Sequence, residues 1–358
     1  MRTNLKRSHV ICLLPERERF GKATQQLIVD TEVFCRELGF STKIIRSLIS
    51  FISNLVFSRY KLYIVLYPGT YSPIVKSFKE FIIKVLISLG LYFLRLLGRK
   101  IILYVYDLPI EQNIFVWGKV PKERFSRIIE MMFLKNASVI LVFNILSSRW
   151  LTTRYNLDMN RFEYFELLDY GSNIQTLGKK KDRYLDKIVI IFSGAFDNPK
   201  LREKIELFLQ NCSETMNIIF LLIGKNSHLI KLTRSNVKKL NEVDQKSLPI
   251  IYNRSNFGLV LKASPYYEFG STSKFSSYIH SGLPVLVPQD YWYLSTIVKK
   301  YSVGIIFKDC QDLMNKLSRL SSLDYYLLVE NARSLGYKIQ KGYFFKKAIL
   351  KAFKKVRN

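Results

Sequence analysis

The sequence has little of what builds a metal centre or a disulfide framework. Four cysteines and three histidines occur in 358 residues. Cys12, Cys35, Cys212 and Cys310 lie far apart, no CxxC is present, and His9, His228 and His280 do not cluster with them. That spacing argues against a zinc site or a disulfide framework, so buried free thiols in a reducing cytoplasm are expected. Long apolar runs are also missing. The run 9–14 is too short for a secretory signal and reads as a first buried strand. The longest greasy stretch, 85–94, falls short of the roughly 20 residues needed to span a bilayer.

Negative charge is the third scarcity. Asp and Glu total 28 against 56 Lys and Arg, a formal net charge of +28. Such an excess calls for an anionic partner: nucleic acid, a membrane surface or phosphorylated substrates. The basic residues are spread along the chain, and no zinc-finger or RNP-like motif accompanies them, which argues against nucleic acid. What is abundant is apolar: 48% hydrophobic residues, with 25 Phe and 22 Tyr, enough for sizeable cores and too much for disorder. The length suits one large or two medium domains.

Strand-like and helical stretches alternate. Apolar runs at 9–14, 62–67, 101–105 and 139–143 read as strands, with helical spacing over 24–38 and 122–135. After a polar stretch at 178–187 a second series begins. Strands are expected at 188–192, 218–223, 257–261, 285–287 and 303–307, with a helix over 201–210. Repeated β-α units imply doubly wound parallel sheets, hence an α/β protein with two Rossmann-like domains. The expected divisions are 1–182, 183–335 and a closing segment 336–358. In open α/β sheets ligands bind beyond the carboxyl ends of the strands, where Asp107, Gly194 and Gly224 would lie.

Segment 73–100 stands apart. Lys76, Lys79, Lys84, Arg95, Arg99 and Lys100 flank or interrupt its apolar core. Two readings are open: an interfacial helix on anionic lipid, or a buried helix of the first domain with a solvated basic face. The closing basic segment likewise reads as an amphipathic helix or as a free membrane-binding tail.

The stretch 269–288, FGSTSKFSSYIHSGLPVLVP, is the most informative. It reads as a polar loop, a short helix, a turn and a strand. Ser271, Thr272 and Ser273 offer hydroxyls and free N–H groups at the helix N-terminus, and Lys274 adds a full charge. That combination suits a diphosphate; an ordinary Ser/Thr cap beside a solvated lysine is the alternative.

Several blocks in this order resemble bacterial glycosyltransferases of GT-B fold, the group containing the glucosyltransferase acting on serine-rich adhesins and the β-1,6-galactofuranosyltransferases. The blocks are IFSGAFDNPK, SNFGLVL, STSKFSSYIHSGLPVLV, VKKYSVGIIF and NARSLGYKIQKGYFFKKAIL, with FGKATQQL and LYVYDLP in the first half. The resemblance is firm over about 188–353. It implies two Rossmann-like domains facing a cleft, with the last helix returning to the first. It also implies metal-independent hexosyl transfer, of a galactofuranosyl or glucosyl unit, from a nucleoside-diphosphate sugar, UDP being the expected carrier. The expected acceptor is a glycan, lipid-linked, in surface polysaccharide synthesis at the inner face of the cell membrane. Extension of a protein O-glycan on an adhesin is the alternative, and a non-enzymatic basic module for membrane or nucleic acid is the second. Self-association is left open.

On this reading Lys274 contacts the diphosphate with Ser271, Thr272 and Ser273. Gly194 lets backbone approach the donor, and Lys200 offers a second cation or is simply solvated. Gly21, Lys22 and Thr24 line the acceptor side. Asp107 is the candidate general base, with an ordinary turn Asp as the competing reading. No Asp-x-Asp pair is present; Glu242-Val243-Asp244 comes nearest and reads as a surface turn. His280, six residues beyond Lys274, reads as packed rather than catalytic.

Overall fold

The computed structural model describes residues 9–13, 22–45, 62–67, 73–169, 187–194, 196–212, 217–244, 247–262, 264–270 and 272–357. The chain divides into two compact units, 1–172 with 341–358, and 173–340.

The first unit is built on six parallel strands. They are β1 (His9–Leu13), β2 (Ser41–Ile45), β3 (Leu62–Tyr67), β4 (Lys100–Val105), β5 (Val139–Val142) and β6 (Phe162–Tyr164), in the order β2-β1-β3-β4-β5-β6. The central pair reads LYIVLY and KIILYV, and every residue except Lys100 is buried. Continuous apolar strands of this kind belong to parallel sheets covered on both faces. The covering helices are α1 (Lys22–Glu37), α2 (Phe78–Leu96), α3 (Pro109–Trp117), α4 (Glu123–Asn136) and α5 (Ile145–Tyr155).

The second unit repeats the plan in the order β12-β11-β10-β7-β8-β9, again all parallel. Along the chain run β7 (Ile188–Ser193), α6 (Pro199–Asn211), β8 (Ile218–Ile223), β9 (Val237–Leu240), α7 (Leu248–Asn253), β10 (Phe257–Leu259) and α8 (Ser273–His280). Then come β11 (Val285–Pro288), α9 (Trp292–Tyr301), β12 (Gly304–Phe307), α10 (Cys310–Ser318) and α11 (Ser322–Gln340).

The last helix, α12 (Tyr343–Arg357), belongs to the first unit. Phe345, Ala348, Ile349, Ala352 and Phe353 recur at helical spacing and pack into the core formed with Phe34, Phe40, Tyr104 and Phe165. The buried Asp169 carboxylate accepts the Phe345 N–H at 2.6 Å, satisfying a donor that the helix start leaves unpaired. Gly342 is required just before this helix: its φ is +65°, and a Cβ there would lie 2.5 Å from the Phe34 ring.

The break placed around 178–187 falls almost wholly outside the described residues. Segment 73–100 contains a 19-residue helix docked on the first unit through Ile87, Ser88, Gly90, Leu91 and Leu94, yet its other face is open. The cysteine expectation is overturned for one pair. Cys212 and Cys310 are joined by a disulfide across 98 residues. Cys212 ends α6 and Cys310 starts α10, and both lie in the second unit's core. The parallel sheet brings these helices together, which spacing along the chain cannot reveal. Cys35 is buried in the first unit's core.

A cross-link closing so long a loop chiefly restricts the unfolded chain. Reduction, or the Cys212→Ser/Cys310→Ser double variant, is expected to lower stability to denaturant by roughly 2–4 kcal/mol. Reductant should have no further effect on the double variant; equal stability of oxidised and reduced wild type would refute the link.

Candidate functional site

The site in the second unit is built where β7 meets the start of α8. Thr272 caps α8, its hydroxyl accepting the Phe275 N–H at 3.2 Å. Lys274 lies in the first turn, and four residues later, on the same face, Tyr278 is buried. The Tyr278 hydroxyl accepts the Ser193 N–H at 2.7 Å and the Ser193 hydroxyl at 3.0 Å. Ser193 Oγ also lies 2.9 Å from the Tyr252 hydroxyl. These bonds fasten α8 to the carboxyl end of β7.

Lys274 is thereby carried under the next residue, Gly194. A Cβ on Gly194 would sit 2.4 Å from Lys274 Cε and 2.7 Å from Nζ, so only glycine leaves the ammonium its place. Lys274 Nζ lies 4.5 Å from the centre of the Phe192 ring, a cation–π distance. Burial lowers the lysine's pKa to about 8. Gly224, at the end of β8, presses on the same turn: its φ is +141°, and a Cβ would fall 1.8 Å from the Gly194 carbonyl oxygen. The site therefore combines a partly desolvated cation, a bare backbone turn and a helix N-terminus, all suited to an anion with several oxygens.

Of the other expected residues, Ser273 is exposed at the start of α8 and Lys200 is exposed in the first turn of α6, whose start is capped by Asn198. Gly21 and Ser271 lie outside the described residues. Lys22 and Thr24 fall in the first turns of α1, and their side chains are outside the description as well. Glu242 and Asp244 are exposed in the loop after β9. His280 is buried at the end of α8, where burial lowers its pKa, and among the described residues neither ring nitrogen has a hydrogen-bond partner.

Asp107 lies in the first unit, two residues past β4. Its carboxylate accepts the Leu108 N–H at 2.9 Å. Burial pushes its pKa to about 7, outweighing that hydrogen bond, and Glu111 adds to the rise. A buried polar cluster that the sequence did not reveal adjoins it. Glu111, fully buried in the first turn of α3, accepts from Trp150 Nε1 at 3.1 Å and Arg127 Nη1 at 3.3 Å. Glu130 on α4 accepts the hydroxyls of Tyr67 and Tyr155, and burial raises its pKa.

Sequence reasoning passed over Ser193, Tyr252 and Tyr278. The signal available for Tyr278 was its i+4 spacing from Lys274.

Residues 190–352 match the family model described as Glucosyltransferase 3-like, C-terminal domain. The chain is similar to Glucosyltransferase 3 of Streptococcus parasanguinis, with 27% identity over 117 residues, 32% of this chain and 35% of that protein. The match thus spans about a third of the relative's length. Among solved structures, sucrose-phosphate synthase from Thermosynechococcus elongatus is similar with a TM-score of 0.64 at 12% identity, over 97% of this chain and 99% of that one. An alpha-glucosyltransferase in complex with UDP and a 13-mer DNA gives a TM-score of 0.60 at 9% identity, over 98% and 100%. These likenesses identify the fold as GT-B-type, and the family match falls on the stretch where the resemblance was firm.

The packing of Lys274 can be checked by reductive ¹³C-methylation and NMR. One methylated lysine should titrate near pH 8, and Lys274→Arg should remove that signal. Gly194→Ala should fold and shift the midpoint; an unchanged midpoint would show that the two residues do not touch.

Proposed function

We propose that the chain is a hexosyltransferase of GT-B fold, taking a glucosyl or galactofuranosyl unit from a UDP-linked donor and passing it to a glycan acceptor. The observation that carries this reading is the Lys274 ammonium held beneath Gly194 at the start of α8.

Transfer breaks the bond between the sugar's anomeric carbon and the diphosphate, so negative charge grows on the leaving oxygen. A cation and N–H dipoles already in place stabilise that charge without reorganising. In this proposal Lys274 and the N-terminal N–H groups of α8 do so, with the hydroxyls of Thr272, Ser271 and Ser273 adding contacts and Lys200 acting as an outlying cation. Because Lys274 supplies the charge, we assign no metal to the step. Asp107 takes the acceptor hydroxyl proton; a carboxyl raised to about 7 is half ionised near neutrality, where a general base works well. Gly21, Lys22 and Thr24 are assigned to the acceptor side. The acceptor is proposed to be a lipid-linked glycan of a surface polysaccharide. A second reading, extension of a protein O-glycan, is favoured by the match to the streptococcal Glucosyltransferase 3; a glycopeptide and a polyprenyl-diphosphate glycan used as competing acceptors separate the two.

The first test is a thermal-shift series over nucleoside diphosphates. Saturating UDP, at 100 times its Kd, should stabilise the protein by roughly 2.7 kcal/mol. Lys274→Ala should keep the fold and lower donor hydrolysis or transfer about 10²–10³-fold. Full activity in that variant would overturn the proposal.

The pH profile of kcat/KM gives an independent check, because it reports groups on the free enzyme. Activity should rise as Asp107 deprotonates near pH 7 and fall as Lys274 loses its proton near pH 8. Asp107→Asn should lower the rate about 10²–10⁴-fold and remove the acid limb. An acid limb that persists in this variant would assign the base elsewhere.

A further inference from the structure

Helix α2 carries its apolar residues on two opposite faces. One face docks on the first unit: Ile87, Leu91 and Leu94 are buried, and the Ser88 carbonyl accepts the Asn136 side-chain N–H at 2.9 Å. The other face is open. Phe78, Ile82, Leu86, Leu89, Phe93 and Leu96 recur every three or four residues, so they form one stripe along the helix. Between Lys79 and Arg95 every exposed residue of α2 is apolar: Ile82, Ile83, Leu86, Leu89, Tyr92 and Phe93. The stripe extends sideways, because the Phe81 ring packs on Phe125 of α4 with centroids 4.8 Å apart. Scattered exposed hydrophobics need no explanation, but a contiguous stripe this long marks a binding surface.

The charges around the stripe identify what covers it. Exposed Lys76 and Lys79 stand at its start, exposed Arg95 and Lys100 at its end, and exposed Lys122 and Arg124 beside Phe125. Lys84, the one cation in the middle of the helix, is half-buried, and its ammonium donates back to the Ile74 carbonyl. Glu80 is the one acidic residue within α2, and its carboxylate accepts the Lys76 backbone N–H at 2.8 Å. Among the described residues no helix is long and apolar enough to cross a membrane. An apolar stripe between basic ends fits the boundary of an anionic bilayer: acyl chains receive the Leu, Ile and Phe side chains, and headgroup phosphates meet the Lys and Arg. The helix, about 28 Å long at 1.5 Å per residue, would lie in the plane of the surface.

We infer that α2 seats the first unit on anionic lipid through its Phe78-to-Leu96 stripe. The inference is independent of the donor proposal, since lipid binding needs neither Lys274 nor a nucleotide sugar.

The test is flotation of the full chain with vesicles of phosphatidylcholine alone or of phosphatidylcholine and phosphatidylglycerol in equal parts. Wild type should float with the anionic vesicles and bind the neutral ones far more weakly. Leu86, Leu89 and Leu96 are 55%, 50% and 65% exposed, so Leu86→Gln/Leu89→Gln/Leu96→Gln should leave thermal melting and the UDP thermal shift intact. That variant should bind anionic vesicles at least about tenfold more weakly, since three large apolar side chains no longer enter the acyl region. Phe93→Trp, which keeps the stripe apolar, should show a blue-shifted indole emission on anionic vesicles and none on neutral ones, read as the difference from wild type under the same conditions. Flotation of the triple variant equal to wild type would overturn the inference, as would an unshifted difference spectrum for Phe93→Trp bound to anionic vesicles. It would also fail if wild type self-associates without lipid and the triple variant becomes a monomer while neither floats, because the occupant would then be a second copy of the chain.

Discussion

The Tyr278 hydroxyl is the fixed point of the candidate donor site. It accepts from both the backbone and the side chain of Ser193, so a helix and a strand end that are 85 residues apart are held in one register. A buried phenol left without these bonds would cost its desolvation, which makes the arrangement cooperative with burial. The ring needs room as well: a Cβ on Gly258 would lie 2.4 Å from it, so β10 passes behind Tyr278 only as glycine. Lys274 is one turn nearer the helix start on the same face, and its position under Gly194 follows from that of Tyr278. The Gly194 turn in turn rests on Gly224. Three glycines and one tyrosine thus set where the Lys274 ammonium stands.

The first unit solves a different electrostatic problem. Glu111 and Glu130 are fully buried, and each accepts hydrogen bonds from two side chains. Glu111 takes an indole N–H and a guanidinium N–H, while Glu130 takes two phenol hydroxyls. Removing one donor from such a group costs more than the bond itself, because the other partner stays buried and unpaired. The nearby negative charge of Glu111 also reaches Asp107 and adds to the effect of burial, keeping that carboxyl from ionising at acid pH. Asp107 thus owes its poise near neutrality to burial first, and then to a cluster that stands behind it.

The sheet strands were legible wherever burial on both faces wrote a continuous apolar run, as in 62–67, 101–105 and 218–223. Three strands escaped for a shared reason. β2, β6 and β9 are edge strands with one partner each, and their sequences STKII, FEY and VKKL carry polar residues that an apolar-run criterion passes over. Lys274 and Gly194 were legible because their residue types are rare answers to local demands: a charge at a helix start, and a bare turn after a strand. Their contact was not, because it depends on β7 and β10 pairing across most of the second unit. The Cys212–Cys310 link failed for the same reason, being a matter of which helices share a face of the sheet.

Segment 73–100 shows how two sequence readings can both describe one helix. The amphipathic pattern expected of a surface helix has one apolar face and one polar face. In α2 the exposed polar residues are pushed to the ends, leaving the middle apolar on its docked side and on its open side alike. A helix of that kind is stable only if both sides are covered, and the first unit covers one of them with Ile87, Leu91 and Leu94. Burying the other side in a protein core would also desolvate the charges that bracket it, at a cost of several kcal/mol for each unpaired ion. A surface that is apolar below and anionic at its boundary removes the exposed apolar area and keeps those charges hydrated. The net charge of +28 acts in the same direction, since it attracts the whole chain to such a boundary before any side chain enters it.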